Sequence, residues 1–266
     1  MNTLARKLTM VFVLLACLTP AVAQDIVFAS DTVRQICVAH WDRNGDGELS
    51  LSEAAAVTDL DTTFSNLLRK QFSFDELQHF TGLRSIGDKA FSDCYRMSSV
   101  TIPASVDTIG EKAFWSCINI KQVRLPKTLH VLRKACFYHC EELERISIPG
   151  TVDTIPELAF AWCKNMREVV VNGGCRTVGR QAFANCESIQ YVTLPSMLTF
   201  IGREAFFIPA SLRTILVQAA TPPVAEEGAF SDYAMKNAIL YVPSGSLEAY
   251  RKAPVWRNFK YISEYF

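Results

Sequence analysis

The chain has few histidines, no excess of charge of either sign and, beyond residue 23, no apolar run of the ~20 residues that cross a bilayer. Its 27 basic and 27 acidic residues leave no electrostatic footprint for nucleic acid. His40, His79, His130 and His139 stand in no motif with a nucleophile or with paired metal ligands. Carboxylates are numerous but scattered, with no acid/base pair set apart from the rest. Nine cysteines include no C-x-x-C, which disfavours a zinc centre. Each absence removes a class of catalyst, and no enzymatic activity is expected.

What is present begins at the N-terminus. Residues 1–23 run from Arg6 and Lys7 through the stretch MVFVLLACL to Ala21-Val22-Ala23, the charged, apolar and small-residue order of a secretory signal peptide. Cleavage there leaves 243 residues from Gln24, with 25 basic and 27 acidic side chains. Leu14-Leu15-Ala16-Cys17 offers a second cleavage point of lipoprotein type, with a lipid anchor at Cys17. Export is expected in either case, to the cell surface, the periplasm or the medium. An apolar fraction of 49% excludes general disorder.

The body of the chain repeats. Phe91, Phe114, Phe137, Phe160, Phe183 and Phe206 stand 23 residues apart, and Phe230 follows after 24. Around them runs the pattern I-G-x-x-A-F-x-x-C-x-x-L-x-x-V-x-I-P-x-x-V-x-x, with swaps inside the apolar class. Its V-x-I pair is Val100/Ile102, Val123/Leu125, Ile146/Ile148, Val169/Val171, Val192/Leu194 and Ile215/Val217. Alternation of this kind makes a short strand, and a proline at 103, 126, 149 and 195 ends the pairing because it has no N–H to donate. The Ile-Gly turn and Ala-Phe step must return the chain across the other side. One such unit cannot bury its own apolar face, so copies stack into a solenoid with parallel strands ~4.8 Å apart.

This consensus resembles the leucine-rich repeat, and more closely the 23-residue form found in BspA-like bacterial surface proteins. The resemblance spans residues 74–243, with Phe74, Leu77 and Leu83 as a degenerate half-repeat and Leu240-Tyr241-Val242-Pro243 as a last strand after a one-residue slip. It implies an α/β repeat solenoid with a helical N-terminal cap over 24–73 and a helical C-terminal cap over 244–266. Leu247, Tyr250, Trp256, Phe259 and Ile262 give that tail its apolar side. His79 falls at a strand slot of the half-repeat and is expected to pack in the core.

Cys94, Cys117, Cys140, Cys163 and Cys186 occupy one slot of successive rungs. Stacked in a column, neighbours come close enough to bridge, and an exported protein sits where bridges form. Buried free thiols are the favoured reading, since five cysteines cannot all pair among themselves and a free thiol behaves as a small apolar filler. Cys136 and Cys175 take alanine-type and valine-type core slots, and Cys37 has no evident partner.

Residues 42–53, DRNGDGELSLSE, satisfy the spacing of an EF-hand loop. Asp42, Asn44 and Asp46 take the first three ligand positions, Gly47 the sharp turn, and Glu53 the bidentate twelfth position. Glu48 would supply its carbonyl and Ser50 a water-mediated contact. These hard oxygen donors suit calcium, between a helix over 31–41 and another from Leu51 to about Leu60. Leu49 is expected to point inward. No second loop of this kind occurs, so a structural clip in the cap is expected rather than a sensor.

Within L-x-x-V-x-I the intervening residues face outward and are expected to stack into a continuous strip. Lys121, Arg124, Arg145, Arg167 and Arg213 set five cations there against Glu144 and Glu168, and Tyr191 adds an aromatic. Arginine and aromatic side chains dominate interface energies, which marks Arg145, Arg167, Tyr191 and Arg213 as contact residues, with Lys121, Arg124 and Glu168 beside them. The resemblance implies adhesion to host matrix proteins or other cells. Two functions remain open: a module recognising an extracellular protein or glycan, and an envelope component that spaces or decorates without a specific ligand.

Overall fold

The computed structural model describes residues 24–65, 72–207 and 210–265. The expected signal segment 1–23, with Cys17, lies outside the described residues. The cap before the repeats holds α1 (Asp31–Trp41) and α2 (Leu51–Ala55). The half-repeat contributes β1 (Phe72–Phe74), and the rungs follow with β2 (Ser85–Ile86) and β3 (Met97–Thr101), then β4 (Thr108–Ile109) and β5 (Gln122–Arg124). Next come β6 (Val131–Leu132) and β7 (Arg145–Ile148), β8 (Thr154–Ile155) and β9 (Glu168–Val171), and β10 (Thr177–Val178) and β11 (Tyr191–Leu194). The last rungs carry β12 (Phe200–Ile201), β13 (Thr214–Val217) and β14 (Val224–Ala225). The tail is α3 (Asp232–Asn237), β15 (Ile239–Pro243), α4 (Leu247–Lys252) and β16 (Tyr261–Tyr265). All pairings between these strands are parallel, as a solenoid requires.

Each rung therefore has three sides: a strand, a two-residue strand, and a turn segment. Where proline ends the long strand the ladder stops, whereas Asn172 and Gln218 at the same slot keep donating, to Ile148 and Leu194. The turn side carries two left-handed residues in each rung from Lys112 to Asn185, four positions apart. Lys112, Ala135, Leu158, Gln181 and Glu204 have φ of 54 to 60°, and Ser116, His139, Trp162 and Asn185 have φ of 55 to 65°. Every second N–H there reaches the next rung: Lys112, Phe114 and Ser116 donate to the carbonyls of Lys134, Cys136 and Tyr138. Left-handed backbone costs roughly 1–2 kcal/mol per non-glycine residue, which three inter-rung bonds per turn offset.

The recurring phenylalanines form one buried spine. Rings stack at 5.1 Å (Phe91–Phe114), 4.9 Å (Phe114–Phe137) and 5.3 Å for each of the next three steps, ending on Phe230 at 5.5 Å. Phe64, 27 residues before Phe91 and outside the regular spacing, extends the spine at 5.4 Å. Trp41 of α1 covers Phe64, and Trp256 and Phe259 cover Phe230. Trp256 Nε1 and Tyr250 Oη donate to the carbonyls of Pro223 and Ala219, tying the tail to the last rung.

The cysteines of the column are free and buried. Cys94, Cys117, Cys140, Cys163 and Cys186 each direct Sγ at the carbonyl of the phenylalanine one rung earlier, at 2.8 to 3.4 Å. A small apolar side chain with a weak donor suits that place beside the phenylalanine carbonyl. Burial pushes the Cys117, Cys140 and Cys163 thiols well up, so they are held protonated.

Four expectations need correction. α2 ends at Ala55 and not near Leu60, because Asp59 Oδ1 accepts from Asp61 N at 2.8 Å, a local turn that competes with helix, and Asp61 is left-handed. His79 is half-exposed in a 3₁₀ turn rather than packed in a strand. Asp75 accepts from the Ser99 and Thr101 hydroxyls and turns the chain, so Leu77 fills the core instead. The C-terminal cap is not purely helical, since β16 continues the sheet beside β15.

The fourth concerns continuity. The long strands form two sheets, β1-β3-β5 and β16-β15-β13-β11-β9-β7, and the short strands likewise part between β6 and β8. Proline explains the second break. Arg133, Gly179 and Gly202 donate across to Ile109, Ile155 and Val178, but Pro156 at that slot has no N–H for Leu132. Glycine suits the slot for a separate reason, close approach: a Cβ on Gly179 would lie 2.9 Å from Glu157 N and Ile155 O.

Candidate binding face

The outward residues of the long strands fall in register. One row joins Arg145, Glu168, Tyr191, Thr214, Ile239 and Tyr261 across six strands, about 24 Å at ~4.8 Å per strand. A second joins Ser147, Val170, Thr193, Leu216, Tyr241 and Ser263. Tyr191 is 50% exposed, Tyr261 46% and Ile239 38%, while the valine, isoleucine and leucine neighbours between them point into the core.

The face thus has two characters. Toward β15 and β16 it is aromatic and aliphatic, with Tyr191, Leu216, Ile239, Tyr241 and Tyr261. Toward β5 and β7 it is cationic, with Lys121, Arg124, Arg145 and Arg167 all exposed. None of these, nor Arg213, makes an ion pair among the described residues, although Glu168 lies opposite Arg145 in register. The expected contact residues Lys121, Arg124, Arg145, Arg167, Glu168, Tyr191 and Arg213 therefore share one side of the molecule. Arg124 and Lys121 stand beyond the break in the sheet, apart from the others. Ile239, Tyr241 and Tyr261 escaped the sequence reading because the 23-residue register slips before β15 and because β16 carries helical-cap patterning.

The loop 42–53 winds about its own acidic side chains. Asp42 accepts from Gly45 and Gly47 N at 2.7 and 2.9 Å, Asn44 Oδ1 from Asp46 N at 2.9 Å, and Asp46 Oδ1 from Glu48 N at 2.9 Å. Glycine is needed at 45 and 47, where φ is 74° and 86°. Glu53 forms a capping box with Ser50 at the start of α2. Its carboxylate also accepts from Arg43 N and Asn44 N, at 2.9 and 3.2 Å. The Ser50 amide foremost, with these other donors, holds Glu53 down to about 2. The Glu48 side chain pairs with Arg34, leaving only its carbonyl as a donor for an ion. Leu49 is buried, as its position in the loop requires.

This donor set is all hard oxygen and suits calcium. The side chains do not yet gather on one point: among the described residues no three carboxylate, histidine or cysteine side chains converge. An ion would draw Glu53 from the Arg43 and Asn44 amides.

Residues 84–213 match the BspA type leucine rich repeat region in six copies. A leucine-rich repeat protein from Eubacterium ventriosum ATCC 27560 is similar at 26% identity over 57% of this chain, with a TM-score of 0.52. The chain spans 41% of that protein's length. A T. pallidum leucine rich repeat protein matches at 22% identity, with 69% of this chain and 79% of that one covered and a TM-score of 0.48. One from Bacteroides ovatus ATCC 8483 matches at 17%, covering 75% and 59%, with a TM-score of 0.49. No curated protein matches the sequence. Among the described residues no helix is long and apolar enough to cross a membrane.

Proposed function

We propose that the chain is an exported recognition module that holds an extracellular protein or glycan against the strand face of its solenoid. The observation that carries this is the register-aligned row from Arg145 through Glu168 and Tyr191 to Ile239 and Tyr261, which sets exposed aromatics beside cations that make no ion pair among the described residues. A spacer would gain nothing from leaving these groups in water, whereas arginine and tyrosine anchors supply most of the energy of an interface. The apolar leader in residues 1–23 and the match of the repeats to the BspA type support export.

The test is a binding panel of extracellular matrix proteins and glycans, with the protein and its Arg145→Ala/Arg167→Ala/Tyr191→Ala variant. Loss of two or more anchors should weaken the cognate interaction by at least 2 kcal/mol, about 30-fold. Equal binding by a folded variant to every member of the panel removes the proposal.

The loop 42–53 serves that module as a calcium clip. Asp42, Asn44, Asp46 and Glu53 would hold the ion with the Glu48 carbonyl and a water on Ser50, at the roughly 0.1–1 mM affinity of exported modules. A bound ion would fix α1 against α2, and with α1 the Trp41 ring that covers the spine.

A further inference from the structure

The interruption of the strand face leaves a cleft. Between β5 and β7 the spine is closed, with Phe114 and Phe137 at 4.9 Å, yet the two strands exchange no backbone hydrogen bond. The last bond before the gap runs from Glu144 N to Lys121 O at a stretched 3.4 Å. Leu125 stands where Ile102 stands one rung earlier; Ile102 N donates across to Arg124, while Leu125 N donates to nothing in β7. Both walls are therefore free strand edges inside the array.

The floor differs from every neighbouring rung. Val123 and Leu125 are only partly buried, although their counterparts Ile146, Ile148, Val169 and Val171 are buried. Two adjoining hollows of about 410 and 730 Å³ share Val123, Arg124 and Arg145. Lys121 and Lys127 complete a rim of four cations, with Glu144 as its one acid. Arg124 and Arg145 make no ion pair among the described residues.

We propose that this cleft takes an extended acidic peptide segment, laid along the open edge of β5 or β7. Free edges call for a main chain, because only another backbone offers alternating N–H and C=O groups at strand spacing. In an extended segment successive side chains face opposite ways, so apolar residues reach Val123 and Leu125 while carboxylates reach Lys121, Arg124, Lys127 and Arg145. The cleft opens on the strand face and the inference rests on that face being a recognition surface. It assigns one part of it to one chemical class.

The probe is an acetylated, amidated octapeptide alternating glutamate and valine, titrated by fluorescence anisotropy beside its lysine-for-glutamate counterpart and a sulfated oligosaccharide. The glutamate peptide should bind, the lysine peptide should not, and Arg124→Ala/Lys127→Ala should weaken binding at least tenfold. Arg167→Ala/Tyr191→Ala should leave it within twofold, which separates the cleft from the wider face. Hydrogen exchange at the Leu125 amide should be fast in the free protein and slow with peptide. Equal binding of both peptides, no binding, or binding of the sulfated sugar alone overturns the proposal, as does a Leu125 amide already as slow as that of Val169.

Discussion

Phe137 is the residue on which the integrity of the rod should depend most. It is fully buried and stacked on both sides, at 4.9 Å on Phe114 and 5.3 Å on Phe160. Phe183 is equally buried, with stacks of 5.3 Å on each side. Truncation to alanine should cost about 3–5 kcal/mol at either site, of which the two lost stacks account for about 1–3. The consequence differs. Around Phe183 both strand sheets run on without a gap, so its neighbours remain coupled. Around Phe137 the long strands are parted on one side and the short strands on the other, so each of its two interfaces keeps a single strand ladder, β4–β6 or β7–β9, beside the spine and the turn-side bonds. Phe137→Ala should then split urea unfolding into two transitions, and Phe183→Ala should shift a single one. Trp115 reports the first half and Trp162 and Trp256 the second, so fluorescence of single-tryptophan versions resolves them. Phe137→Leu, which keeps most of the apolar volume, provides the folded control at about 1–3 kcal/mol. A single transition of unchanged slope for Phe137→Ala, or two transitions in both alanine variants, refutes the reasoning.

Two smaller tests address charge. Glu141 accepts from Lys164 Nζ at 2.6 Å and pairs with His139 Nε2 at 2.9 Å, and Lys164 foremost holds its carboxyl below the usual range. A depressed carboxyl stabilises the fold above its unfolded value and loses that contribution as pH falls through the lowered one. Glu141→Gln should therefore cost up to about 1 kcal/mol near pH 7, with the difference from the parent protein closing on acidification below the usual carboxylate range. A pH-independent difference in urea midpoint contradicts it. Calorimetric titration of chelator-treated protein with calcium should give heat and a raised melting temperature, both lost in Asp42→Ala/Asp46→Ala; absence of heat and shift in the parent protein disposes of the clip.

The rungs were legible because their signal is redundant: the same spacing fixes phenylalanine, cysteine and the V-x-I pair together, and each reports one side of the same coil. The irregular parts were not. Phe64 belongs to the spine but sits 27 residues from Phe91, so no period announces it. His79 follows the period and was misplaced by it, because the hydroxyls of Ser99 and Thr101 on the next rung capture Asp75. On the binding face the cations were readable from alternation alone, whereas Tyr261 depends on β16 pairing with β15, a contact no local pattern encodes.

The break in the sheets was half legible. Pro156 can be seen to lack a donor, yet the parting of β5 from β7 falls where Arg124 and Arg145 line one hollow, and that is a property of stacked rungs. The two breaks are consecutive along the chain and both lie on strand sides, while the left-handed turns and the ring stack cross them intact. Across the gap between β5 and β7 the β4–β6 ladder and the turn-side bonds both hold, so any bending of the rod there opens on the long-strand side. Such bending widens the gap at Val123 and Leu125 and brings the cations of β5 and β7 further apart. A segment bridging those cations does the reverse, drawing the two halves of the strand face into one surface. The charges that rim the cleft are thus the ones that would close it on an acidic partner.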